Sequence, residues 1–217
     1  MKKTVKIIAV VLLINFFIIF FCVKSGLRKG DAMLRFHERE AVTFLSSLML
    51  GLSSLASFVI YWLKRKLSSS DKNSRFWLFS ALGFFYLCMD DYFMAHEGMD
   101  NAFGKVFFGK DIESLNLDNL VIAFFGLVAL AICVRFFREI LKHKEMLPFL
   151  FLGACGLLGT IIFHSFERVN IAYEVTEEAF KLVGVSFFLA AYLVALITFI
   201  KKLYIYLPDK NKEFTQN

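Results

Sequence analysis

Six apolar runs separated by short polar segments account for almost the whole chain. They cover about 5–23, 42–63, 76–96, 120–137, 147–166 and 177–200. Each approaches the roughly 20 residues that a helix needs to cross a hydrocarbon core. The pattern predicts an all-α, polytopic membrane bundle of six transmembrane helices, one domain over 1–207. A polar cytoplasmic tail is expected over 208–217, opening at Pro208.

The first run follows Lys2, Lys3 and Lys6 as a signal sequence would. It is too long for a signal core, and Ile19-Phe20-Phe21-Cys22 is bulky where a cleavage site needs small residues. An uncleaved span is therefore expected. In the first connector, Met33, Leu34 and Phe36 lie among charges and predict a short interfacial helix. Pro148 falls in the first turn of the fifth run, where proline is tolerated. Gly153, Gly156 and Gly159 follow at three-residue spacing, which lets a second helix backbone come close. The last run opens at Thr176-Glu177-Glu178, which reads as a helix N-cap followed by acids.

Composition agrees with the pattern: 58% of the residues are hydrophobic and only two are proline. The net charge of +6 is spread over separate loops and forms no basic stripe, so no nucleic-acid partner is expected. The charges bear instead on orientation. With the N-terminus inside, inner segments hold 16 of the 25 lysines and arginines, which favours N-in/C-in. Cys22, Cys88, Cys133 and Cys155 fall in different runs with no CxxC, and read as buried small residues outside any disulfide framework.

That orientation puts 14 of the 19 acids at the outer face. Ionisable groups at the depth of Asp90 and Asp91 are costly and mark a functional-site candidate. Asp90 and Glu97 are seven apart and nearly share a helix face, with Tyr86 one turn below, while Asp91 and His96 point elsewhere. His164 and Glu167 share a face at three-residue spacing, and Glu178 reaches Lys181 at the same spacing. Asp90, His96, His164, Glu167 and Glu178 form a candidate ligand set for a divalent metal, zinc, iron or manganese. Glu97 is then the candidate general base. Motifs of serine hydrolases, zinc proteases and phosphate-binding loops are absent.

At Asp90-Asp91-x4-His96-Glu97, with Glu177-Glu178-x3-Leu182-x-Gly184 later, the chain resembles a group of uncharacterised bacterial multi-pass inner-membrane proteins. These tend to end a middle span on Asp-Glu-x4-His-Glu and to open the last span on Glu-Glu. Here Asp91 replaces the glutamate. The resemblance implies a bacterial inner-membrane location and no particular activity. The membrane hydrolases related to alkaline ceramidases hold zinc with three histidines in seven spans. This chain has six runs, only His96 and His164 near that depth, and no His-x3-His.

Three functions remain open from the residues alone. The first is metal-dependent hydrolysis of a lipid or lipid-linked substrate entering from the outer leaflet, through metal-activated water. The second is ion- or proton-coupled transport through Asp90 and Glu178, although no inverted repeat supports it. The third is a structural or partner-binding subunit whose polar cluster holds helices together.

Overall fold

The computed structural model describes residues 2–30, 34–36, 40–68, 71–93, 117–164 and 171–214. Those residues form seven α-helices and no strand. They are α1 (Lys2–Leu27), α2 (Ala41–Leu67), α3 (Arg75–Phe93), α4 (Leu117–Arg135), α5 (Phe137–Leu141), α6 (Leu147–His164) and α7 (Ile171–Phe214). Short 3₁₀ turns, Lys72–Ser74 and Lys144–Met146, precede α3 and α6. The apolar runs read from the sequence fall on α1, α2, α3, α4, α6 and α7. Among the described residues, Thr4–Leu27, Ala41–Leu67, Lys144–His164 and Ala172–Tyr204 are long and apolar enough to cross a membrane. Phe124–Arg135 is a shorter apolar stretch, and α3 carries Asp90 and Asp91.

The core is α2 packed against α3 and α7, with α6 against α7. Buried positions on α2 (Val42, Thr43, Ser46, Ser47, Leu50, Ser53, Ala56, Ser57, Ile60) recur every three or four residues and give one inward stripe. Small serines let the neighbouring backbone come near enough to accept their hydroxyls. Ser54 donates to the Ala81 carbonyl at 2.7 Å and Ser57 to that of Trp77 at 2.8 Å. Each hydroxyl is thereby satisfied where water is excluded.

Gly153 and Gly156 of α6 do what their spacing predicts against Gly184 on α7, while Gly159 makes room for the Phe180 ring. A Cβ on Gly156 would stand 2.5 Å from the Gly184 Cα. Outside this core, α1 docks through Asn15, which is 2% exposed. Its amide donates to the Val11 carbonyl at 2.8 Å, and its oxygen accepts from Ser186 of α7 at 3.1 Å. Much of α1 and α4 faces outward with large apolar side chains, among them Phe17, Phe21, Leu127 and Val134.

Ring contacts give the helix directions. Phe76 and Phe79 meet Phe136, and Tyr86 meets Phe125, so α4 runs antiparallel to α3. Ile7, Ile8 and Val11 of α1 join the core cluster of Ile60, Trp77 and Ala195. Ile18, Ile19 and Cys22 join the cluster of Phe36, Val42 and Leu182. One end of the bundle therefore collects Lys64, Arg65, Lys66, Arg135, Arg138 and Lys142; the other collects Asp91, His164, Glu177 and Glu178. We call them the basic end and the acidic end.

Several local expectations need correction. Within the first connector, residues 34–36 form a turn, and Phe36 is buried at 2% exposure against Val42 and Leu182. The bundle offers that ring more apolar contact than an interface would. Thr176 is no cap, because α7 begins at Ile171 and the Thr176 hydroxyl donates back to the Ala172 carbonyl at 2.6 Å. At its other end α7 runs to Phe214, past Pro208 where the tail was expected. The four cysteines are free, but Cys133 and Cys155 are exposed, on apolar helix faces turned away from the core.

Candidate functional site

The acidic end joins three helices through one carboxylate. Asp91, near the end of α3, accepts hydrogen bonds from both Ser46 and Ser47 of α2 at Oδ2, the latter at 2.8 Å. Its Oδ1 lies 3.3 Å from Lys181 Nζ on α7. Lys181 also reaches Glu178 Oε1 at 2.6 Å, the pairing that its three-residue spacing predicts. Adjacent serines on α2 diverge by about 100°, so a single oxygen between them fixes the rotation of α2 against α3. Glu178 Oε2 is buried without a hydrogen-bond partner. Beside this group, His164 Nδ1 of α6 lies 3.0 Å from Glu177 Oε1 of α7.

This arrangement differs in composition from the ligand set expected above. His164 pairs with Glu177, and Glu178 pairs with Lys181. Asp90 stands one turn from Tyr86 and acts on it electrostatically, while the neighbouring Asp91 makes the contacts to α2 and α7. His96, Glu97 and Glu167 lie outside the described residues. Among the described residues, no group of three or more histidine, cysteine or acidic side chains is arranged to hold a metal ion.

The basic end holds a second cluster, and sequence reading passed over it. The α4 helix stops at Phe136, whose backbone (φ −110°, ψ 20°) leaves helical geometry. Its ring lodges between Phe76 and Phe79. That break swings α5 inward, so Glu139, on a connector rich in charge, has no exposed side-chain surface. Glu139 Oε1 accepts from Lys64 Nζ of α2 and from the Trp77 indole N–H of α3 at 3.2 Å. Its Oε2 accepts from Lys142 at 2.8 Å. Asp71 shares Lys64 at 3.3 Å. His143 stacks edge-on against Trp77 with centroids 5.0 Å apart, and its Nδ1 is buried without a partner.

Residues 6–196 match a family model described as a domain of unknown function, DUF8692. The chain belongs to that family. No curated protein and no solved structure matches it. The DUF8692 match runs from α1 through most of α7 and so includes both charge clusters. Ser46 and Lys64 are 18 residues apart on α2, about 27 Å along the axis. The two clusters of this DUF8692 chain thus stand at opposite ends of one helix, separated by nearly the thickness of a hydrocarbon core, roughly 30 Å.

Electrostatics at the basic end sets a pH dependence. Burial is the largest influence on Glu139 and pushes its carboxyl up. Hydrogen bonds from Lys142 and Lys64, the Lys64 charge and the Trp77 N–H together hold it below its ordinary value of 4.5. Burial, helped by Lys64 and Lys202, lowers His143 below its ordinary 6.5, against the pull of Glu139 and Glu145. Both depressed groups bind fewer protons folded than unfolded, so stability falls as pH falls. His143 contributes from about pH 6.5 downward, and Glu139 from below about 4.5. We expect the unfolding midpoint of detergent-purified protein to decline between pH 6.5 and 5. His143→Gln should flatten that segment, and an unchanged decline in the variant would refute the assignment.

Proposed function

We propose that this chain is a six-span integral membrane protein, N-in/C-in, serving as a structural or partner-binding subunit. Its charged groups lock helices to one another. The observation that carries the reading is Asp91, whose two oxygens are already taken by Ser46 and Ser47 on one helix and Lys181 on another. A buried polar group satisfied by its neighbours acts as glue between helices. The two clusters, spaced by about a hydrocarbon thickness along α2, suit a chain whose basic end faces the cytoplasm. The outward apolar faces of α1 and α4 are then left to lipid or to a partner helix.

Replacing one member of a buried ion pair leaves the other uncompensated, whereas replacing both with apolar residues is often neutral. Asp91→Leu and Lys181→Met should therefore each lower stability by about 2 kcal/mol, with Asp91 and Lys181 still partly exposed. The double variant should recover only part of the loss, because Lys181→Met also takes away the partner of Glu178. Unfolding by dodecyl sulfate titration reads all three. Single variants as stable as the parent would end the proposal.

One observation favours a second reading. Glu178 Oε2 is buried with nothing bonded to it, beside the His164–Glu177 pair. A zinc, iron or manganese ion would take such an oxygen and an imidazole, with Asp90, His96 and Glu167 as further candidates and Glu97 as the base for lipid hydrolysis. Metal analysis of the purified protein separates the two readings. Stoichiometric metal that disappears in His164→Ala would favour this one over the lock.

A further inference from the structure

At the basic end, a cavity of about 440 Å³ is lined by Asn73, Val134, Arg135, Phe136, Phe137, Arg138 and Glu139, whose carboxylate is turned to Lys64 and Lys142. Its volume lies in the range of small-molecule sites. The charges around it do not balance. Glu139 and Asp71 are matched by Lys64 and Lys142, while neither Arg135 nor Arg138 has an acidic partner among the described residues. The Arg135 guanidinium lies over the Phe136 ring, 5.6 Å from its centroid, a stacking that leaves its N–H edge available. Asn73, also in the wall, gives its backbone N–H to Asp71 at 2.9 Å. Next to these polar groups, Val134 and Phe137 are 69% and 56% exposed.

Two unmatched guanidiniums beside an outward apolar strip fit a molecule with a phosphate at one end and hydrocarbon at the other. We propose that this cavity is a binding site for an anionic phospholipid. Arg135 and Arg138 take the phosphate, and the acyl chains lie along Val134 and Phe137. Guanidinium is the side chain best suited to bidentate phosphate recognition. The proposal rests on the membrane reading and adds a ligand at the end opposite to Asp91.

The test is native mass spectrometry of the detergent-purified full chain with phosphatidylglycerol or phosphatidylcholine. Phosphatidylglycerol should be retained on the order of tenfold better, since each basic residue near an anionic lipid surface is worth a several-fold preference. Arg135→Gln with Arg138→Gln should abolish that preference. Both side chains are exposed, so the elution profile and unfolding midpoint should not move. Lys66→Gln with Lys144→Gln removes the same charge at the same end outside the cavity and should leave the preference intact. An arginine variant that keeps the preference, or a lysine variant that loses it equally, would overturn the site. Displacement of phosphatidylglycerol by millimolar glycerol phosphate would make the ligand a free anion and overturn the lipid assignment. A chain monodisperse in buffer without detergent would instead defeat the membrane reading itself.

Discussion

Gly156→Val should be among the most damaging single substitutions in the chain, at about 3 kcal/mol or more. The added Cβ would meet the Gly184 Cα at 2.5 Å and its nitrogen at 2.8 Å. Both are backbone atoms, which no rotamer change can move aside, so α6 and α7 must separate along their largest contact. Gly153→Ala meets mainly the Phe188 ring and the Gly184 carbonyl at 3.1 Å, and should cost about 1 kcal/mol. Gly83→Ala is the matched control. Nothing lies within 4 Å of its Cβ, and the gain in helix propensity should stabilise α3 by about 0.5–1 kcal/mol. Dodecyl sulfate titration of the purified variants gives the ranking. A Gly156→Val protein as stable as the Gly83→Ala one would show that the α6–α7 contact is looser than described.

The second large effect is at Glu139. Its side chain has no exposed surface, and three donors from α2, α3 and its own turn converge on it. Glu139→Ala leaves Lys64, 12% exposed, with Asp71 alone, and leaves the Trp77 N–H without an acceptor. Lys142 is 56% exposed and can turn to water, so its loss counts for little. Together these should cost about 3 kcal/mol. Glu139→Gln keeps an acceptor for Trp77 and should fall between parent and alanine variant. Should the alanine variant fail to fold, the glutamine variant carries the measurement. A glutamine variant more stable than the parent would mean that desolvation outweighs the three hydrogen bonds.

Helix locations, the apolar class and the close backbone approach at Gly153 and Gly156 were legible from spacing alone, because each depends on residues within one helix. So was the Lys181–Glu178 pair, three residues apart. Asp91 was harder. Helical periodicity placed it off the face shared by Asp90 and Glu97, and that geometry holds for an isolated helix. Which face matters depends on where α2 and α7 stand, and Ser46, Ser47 and Lys181 stand on the Asp91 side. A lone lysine inside the last apolar run was the one signal that a distant acid was needed. Glu139 gave less warning. In sequence it lies among Arg138, Lys142 and Lys144 and reads as a solvated connector. The helix break at Phe136 and the pull of Phe76 and Phe79 on that ring turn it inward.

The sequence by itself determined the all-helical character of this chain, the positions of its long apolar segments and the separation of acids from bases between the two ends. These follow from local hydrophobicity and from charge, which act without reference to partners far along the chain. Only the tertiary structure decided which acid meets which base, because ion pairs 90 and 75 residues apart, Asp91 with Lys181 and Glu139 with Lys64, are set by helix rotation and by where a helix breaks. Those choices are made by packing, and packing is a property of several helices at once.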